Sequence, residues 1–392
     1  MSGVSRSTLR MAVLIVLLAI NLRTVFASLP PLLTDVRHDL GLSAAVAGLV
    51  TTLPVVLLGA LAPVAPRLAQ RFPIERILVA CALLTGAGVG VRGLGGVAAL
   101  FAGSLLAGAA IAITQVLIPV LIRDRYHSST GLLMGVMSAG ITLSAAVASA
   151  LAVPLEDLLG GSWQASLAVW AVPACVAATA WLPRAVRSHH EVDRGPVLSV
   201  WRVPLAWSVA VFFAMQSMAF YATLAWLPSI LRDHGYHASA AGALAALAQV
   251  VQFAPAFLVP VLAARRRTQG ALLAGIVGSA AAGLIGLLAA PGAAALWMVM
   301  LGLGQGGALG MALILPVLRG GDVRTVAALT AMSMCAGYLI ASVGPFLVGA
   351  AHDLAGNWTV PMVVLIVMTT IELVPGVNAV RDRRVAPAVA AA

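Results

Sequence analysis

Two charged side chains stand inside stretches that are otherwise apolar, Arg23 and Glu372, and these carry the strongest chemistry in the chain. Arg23 comes about 13 residues into the first apolar stretch, ~20 Å along a helix at 1.5 Å per residue, close to the middle of a bilayer. Even gentle insertion scales charge about 2.5–3.5 kcal/mol for an arginine at that depth. Leucine would pack there at no such cost, so a cavity-facing role is the favoured reading. A guanidinium keeps its charge and offers a planar fork of donors, which suits a carboxylate or another small electron-rich group. The alternative is a structural arginine, bonded to neighbouring helix carbonyls or reaching outward.

Glu372 is the only acid that the sequence places inside a span, and such a carboxyl can relay a proton. It lies within a few turns of Arg381, which favours a structural role over the relay.

Neutral polar residues form the rest of the candidate lining: Asn21, Gln115, Gln216, Tyr221, Gln249, Gln252, Gln305 and Tyr338. Glutamine brings two donors and an acceptor, and tyrosine adds an aromatic wall with a hydroxyl. Taken singly, each is as well explained by an interhelical hydrogen bond as by a ligand. Trp226 can gate, or anchor at the membrane interface, where tryptophan concentrates.

Several chemistries find no support. All 7 histidines lie in loops or at span ends, and His189-His190 lacks further ligands at metal-site spacing. There is no P-loop. Gly302-Leu303-Gly304-Gln305-Gly306-Gly307 satisfies G-x-G-x-x-G, but it lies within an apolar span and not in a βαβ unit, so close packing explains it better than a dinucleotide. No nucleophile, base and orienter converge, which argues against an intramembrane enzyme. The tails are expected to be too short for a sensor's output domain. No metal and no cofactor are expected.

The elements that hold these residues follow from composition. Apolar residues make up 61% of the 392 and charged residues 9%, against roughly a quarter charged in soluble domains. A spanning helix needs about 20 mostly apolar residues. Windows of that kind run near 10–34, 44–66, 77–94, 97–122, 130–153, 164–183, 203–230, 240–263, 270–290, 293–318, 325–350 and 358–380, so twelve spans are expected. The first window carries Asn21 and Arg23 and lacks a clear cleavage site, so it reads as a retained helix and not a signal peptide.

The net charge of +10 would suggest nucleic acid if the basic residues formed one patch. Instead 19 of the 23 arginines flank one side of the alternating spans, and only Arg37, Arg92 and Arg232 flank the other. That asymmetry predicts both termini in the cytoplasm. Cys81, Cys175 and Cys335 fall within predicted helices and read as small packing residues. Gly86, Gly88, Gly90, Gly275 and Gly278 read the same way, as positions where helices approach closely.

The chain also repeats itself. Asp39-Leu40-Gly41 and onward through Gly48 matches Asp233-His234-Gly235 through Gly242 as D-x-G-x-x-A-x-x-A-G. Pro66, Leu68, Ala69 and Arg71 match Pro260, Leu262, Ala263 and Arg265; Pro119-Val120-Leu121 matches Pro316-Val317-Leu318; Ala139-Gly140 matches Ala336-Gly337. Asp157 and Trp163 fall on Asp353 and Trp358. Six helices per repeat is an even number, so both halves enter the bilayer in the same sense. The expected domains are an N-terminal six-helix bundle at 1–183, a cytoplasmic linker at 184–202 holding His189, His190, Glu191 and Asp193, and a C-terminal bundle at 203–392.

Asn21-Leu22-Arg23 with Ser28 and Pro31-Leu32-Leu33, Gln216-Ser217 with Tyr221 and Leu224-Ala225-Trp226-Leu227-Pro228, and Gly337-Tyr338 through Gly344-Pro345 to His352-Asp353 together resemble the cyanate and 2-nitroimidazole transporter family of the major facilitator superfamily. The resemblance spans the whole chain. It implies an all-α polytopic membrane protein, with twelve transmembrane helices in two pseudosymmetric bundles and alternating access to a small polar or anionic solute. In that superfamily helices one, four, seven and ten line the cavity, and helix twelve is peripheral. The candidate substrate set, read from the residues themselves, is Arg23, Asn21, Gln115, Gln216, Tyr221, Gln305 and Tyr338; Glu372, the candidate proton relay, departs from the family pattern.

The superfamily's cytoplasmic loop reads G-x-x-x-D-R-x-G-x-R-R. Here it runs Leu68-Ala69-Gln70-Arg71-Phe72-Pro73-Ile74-Glu75-Arg76, so Gln70 replaces the acid and Pro73 the glycine. The gating pair built from that acid is in question, and Arg71 and Arg76 are left to hold the loop. The expectation is a secondary transporter of the inner membrane, functional as a monomer, with the lipid bilayer and a small solute as its partners and no nucleic acid. Aromatic residues at 5% tilt against the larger lined cavity of a multidrug or metabolite efflux pump, the rival reading. Direction of transport and energy coupling stay open.

Overall fold

The structure, a computed structural model, describes residues 5–188 and 198–385. The middle of the polar linker, residues 189–197 with His189, His190, Glu191 and Asp193, lies outside the described residues.

Among the described residues, eleven helices are long and apolar enough to cross a bilayer, and a bent pair makes a twelfth. In chain order the spans are Arg6–Leu32, the pair Thr52–Leu61 and Val64–Arg71, Ile74–Arg92, Val97–Arg125, His127–Leu158, Trp163–Arg187, Pro204–Asp233, Ser239–Ala264, Gly270–Ala289, Pro291–Arg319, Val323–Ala355 and Thr359–Ala379. They are called the first to twelfth spans below.

The second window is therefore not one straight helix: its halves meet at 52°. Proline chemistry gives the reason. Pro66 has no N–H to offer the carbonyl of Ala62, which takes Ala65 N–H at 3.2 Å instead, and the helix ends at Leu61. The same missing donor accounts for three further interruptions, with the helix end one residue nearer the proline. Helices end at Val251, Ala341 and Ile371, each four residues before a proline: Pro255, Pro345 and Pro375. Pro54, Pro119, Pro228 and Pro316, by contrast, sit within continuous helices.

Two compact units make up the chain. One holds residues 1–129 with 143–197, the other 130–142 with 198–392, so the fifth span is shared between them. The start of that span joins the second unit for local reasons. Ser138 Oγ donates to the carbonyl of Ala256, and Gly131 and Gly135 lie against the backbone around Pro260 and Phe257.

Within the first unit, Leu29, Leu32, Val36, Leu100, Trp163 and Leu167 form one buried cluster, and Trp163 Nε1 donates to Asp39 at 2.9 Å. In the second unit Leu284, Met298, Leu301, Met362 and Leu365 form the corresponding core.

Small residues bring neighbouring spans together at some of the expected places and not at others. A Cβ on Gly88 would come within 2.7 Å of the fourth span's backbone, and one on Gly283 within 2.7 Å of the tenth's. A Cβ on Gly90, Gly275 or Gly278 would meet nothing, so these three do not serve packing. Cys81 is buried, Cys335 half-buried and Cys175 exposed, so Cys175 is not a packing residue either.

Candidate functional site

The first unit supplies Asn21, Arg23 and Gln115. Arg23 is 8% exposed on the first helix, Arg6–Ala27, and shares that burial with Asn21 one turn before its end. Asn21 Nδ2 donates to the carbonyl of Leu17 at 2.7 Å, which leaves Oδ1 buried without a partner. Trp181 Nε1 pins the helix to the sixth span through the carbonyl of Leu14 at 3.0 Å. Gln115 is fully buried on the fourth span.

Arg92 departs from its expected place. Its position at the end of the third span suggests a loop-facing flank, yet it is 1% exposed. Its Nη1 donates to the carbonyl of Val25 at 3.0 Å, while Nε and Nη2 have no partner. A guanidinium near a predicted span end normally reaches water. Here Gly103 lets the side chain lie flat against the fourth span, a contact invisible in the sequence.

Glu372 is likewise not the only acid within the helical spans. The third span begins early enough to take in Glu75, 1% exposed, and the fifth continues to Glu156, 8% exposed.

The loop between the second and third spans is held differently from the superfamily pattern. Arg76 donates from Nε to the carbonyl of Ala185 at 3.1 Å and from Nη2 to that of Ser188 at 3.2 Å, tying the third span to the end of the sixth. Glu75, which stands where the motif carries a basic residue, forms an ion pair with Arg125 at the end of the fourth span. Arg71 is exposed. In the second unit Arg319 ends the tenth span and donates to Gln269 and, at 2.7 Å, to the carbonyl of Ala379.

The second unit supplies Gln216, Tyr221, Gln305, Tyr338 and Glu372, and brings three of them together. Gln216, Gln305 and Glu372 line one cavity of about 10 Å³ with Thr369, its remaining wall being Ala219, Ala280, Gly304 and Ala308. The small wall residues leave that space open, and a larger side chain at any of them would fill it. Gln216 Nε2 donates to the carbonyl of Phe213 at 3.3 Å and to Ser217 Oγ, which keeps its carbonyl oxygen available. Gln305 is 8% exposed and its Nε2 has no partner.

Tyr338 and Tyr221 do not reach this cavity. Tyr338 is buried edge-on to Phe213, ring centres 5.2 Å apart, and Tyr221 stands edge-on to Phe220 at 5.3 Å. Gln249 and Gln252 bond each other at 3.0 Å. Trp226 donates to the carbonyl of Pro345 at 2.8 Å and packs on Trp358, so it joins the seventh span to the eleventh and twelfth.

The glycine run of the tenth span explains itself by packing on two sides. Gly302 and Gly306 face backbone carbonyls of the eighth span, at Ala248 and Gln252, and Gly304 and Gly307 face Ala280 and Ile276 of the ninth.

A family model described as the Major Facilitator Superfamily matches residues 11–345. An uncharacterised transporter of Bacillus subtilis (strain 168), YycB, is 37% identical over 94% of this chain and 93% of its own length. The 2-nitroimidazole transporter of Escherichia coli (strain K12) is 34% identical over 98% of each chain. The cyanate transport protein CynX of the same organism is 32% identical over 89% of this chain and 91% of its own. Among solved structures, the proton:xylose symporter XylE superposes with a TM-score of 0.76 at 12% identity, covering 96% of this chain and 97% of that one, a likeness of fold. The chain thus belongs to the major facilitator superfamily, and within it to the family of the cyanate and 2-nitroimidazole transporters, which are transporters and not enzymes.

Proposed function

We propose that this transporter moves a small polar or anionic solute, cyanate- or nitroimidazole-like, across the inner membrane by alternating access, with Arg23 as the fixed positive charge that receives it. The observation that carries the reading is the burial of Arg23 at 8% exposure inside the first span, where an arginine kept only for packing would be replaced by leucine at lower cost. Asn21, with an unfilled acceptor two residues away, and Gln115 complete the polar set of the first unit. Gln216, Tyr221, Gln305 and Tyr338 form that of the second. Arg76 holds the cytoplasmic loop, and Arg71 stands exposed on it.

The two Escherichia coli relatives support the solute class: cyanate is a small anion, and 2-nitroimidazole is a compact polar heterocycle whose nitro oxygens can accept hydrogen bonds. The domain boundaries 1–183 and 203–392, both termini in the cytoplasm, and function as a monomer belong to the same reading.

The test is counterflow of labelled cyanate and labelled 2-nitroimidazole in liposomes holding the full chain. Loss of one charge-assisted hydrogen bond, about 1.5–3 kcal/mol, corresponds to roughly a 10- to 100-fold fall in apparent affinity. Arg23→Gln should show that fall for the solute carried. A well-expressed, monodisperse Arg23→Gln protein with unchanged counterflow sinks the assignment.

A further inference from the structure

We propose that Glu372 is a proton-binding site within the second unit, closed by a single water molecule held between Gln305 and Gln216. The placement begins with Pro375. Without an N–H to serve the carbonyl of Ile371, the twelfth span breaks there, and Glu372 occupies the turn between helices Thr359–Ile371 and Leu373–Ala379. The side chain is 2% exposed and makes no hydrogen bond or ion pair with any described residue. An unpaired carboxylate is very costly to bury, whereas its neutral acid needs only a hydrogen-bond partner.

The cavity beside it, about 10 Å³, has room for one water. Such a water needs at least two polar partners, and these are present: Gln305 Nε2, a buried donor with none of its own, the free carbonyl oxygen of Gln216, and Thr369. When the carboxylate accepts a proton from hydronium, water is left behind, and this space can hold it.

No other titratable side chain lines the cavity. On the surrounding elements, the seventh span carries Tyr221, which packs on Phe220, and Arg232 and Asp233, both exposed at its end. The ninth span carries none. Arg319 of the tenth is bonded to Gln269 and Ala379. On the eleventh span are Arg324, Cys335, Tyr338 against Phe213, and the His352–Asp353 pair; beyond the twelfth come Arg381 and Asp382, both exposed. The proton site does not depend on the proposed solute; only its coupling to transport does, because Gln216 and Gln305 belong to both.

Infrared difference spectroscopy of the full chain in lipid vesicles, stepped between acidic and alkaline buffer with no solute present, separates the two. The expected result is a protonated-carboxyl stretch that is lost at alkaline pH and missing from Glu372→Gln, while Arg23→Gln retains it. Superimposable spectra of the wild type and Glu372→Gln overturn the site. So does a Glu372 band that stays protonated, or stays ionised, across the whole range. If Glu372→Gln fails to insert, Gln305→Leu keeps the carboxyl and should shift its band; an unmoved band counts against the water-closed site.

Discussion

Arg125 reaches from the end of the fourth span to Glu75 at the start of the third, and in the second unit Arg319 reaches Gln269 in the same way. Glu75 and Gln269 are 194 residues apart, as are Arg125 and Arg319, and as are Pro66 and Pro260. The internal repeat therefore carries a pair of latches, one ionic and one neutral. Pro119 and Pro316, however, are 197 apart, so Arg319 leaves its proline one turn sooner than Arg125 does. Arg319 is buried, at 3% exposed, whereas the Arg125 side chain is 48% exposed.

Removing Arg125 strands a carboxylate that is already short of partners, since Glu75 Oε2 has none. Leaving a buried acceptor unsatisfied costs about 1–3 kcal/mol. Arg125→Ala should therefore lower the unfolding midpoint in detergent clearly, and Glu75→Gln, which turns this latch into the kind found at Gln269, should lower it less. The reverse order in thermal unfolding would show that the charge of Glu75, and not its hydrogen bond, holds the loop.

Arg92 makes one hydrogen bond and leaves two guanidinium nitrogens buried and unpaired. Replacing a poorly paired buried charge with an apolar side chain of similar reach is commonly neutral or stabilising, while truncation leaves a void costing about 2–5 kcal/mol. Arg92→Met should hold or raise the thermal midpoint, and Arg92→Ala should lower it. If Arg92→Met proves as damaging as Arg92→Ala, the unpaired nitrogens are satisfied by ordered water.

Gly306 and Gly278 test the packing of the second unit as a contrast. A Cβ on Gly306 would land on the backbone of Gln252, whereas one on Gly278 meets nothing. Overpacking of this kind costs about 1–3 kcal/mol. Gly306→Ala should reduce the yield of monodisperse protein and its melting temperature. Gly278→Ala should match the wild type, or slightly exceed it through helix propensity. Equal behaviour of the two variants would mean that the eighth and tenth spans do not meet at Gln252.

Much of this protein was written in its hydrophobic pattern. Uniform runs of about twenty apolar residues, bounded by arginine, determine that the chain must bury its backbone polar groups as spanning helices, because lipid offers them no other partner. Prolines 66, 255, 345 and 375 interrupt helices through a missing N–H. Pro54, Pro119, Pro228 and Pro316 lack it too and lie within continuous helices, so the sequence by itself did not say which prolines would break a span. The burial of Arg23 followed from depth alone, by the cost of placing a charge there.

Which side of a helix faces a neighbour is a different kind of fact. Arg92 looks like a span-end flank until Gly103 is seen to admit it against the fourth span. Glu372 looks like a companion of Arg381 until the break at Ile371 sets it beside Gln216 and Gln305. Depth in the membrane is counted along one chain, but rotation and contact arise only where several helices pack, and those came from the tertiary structure.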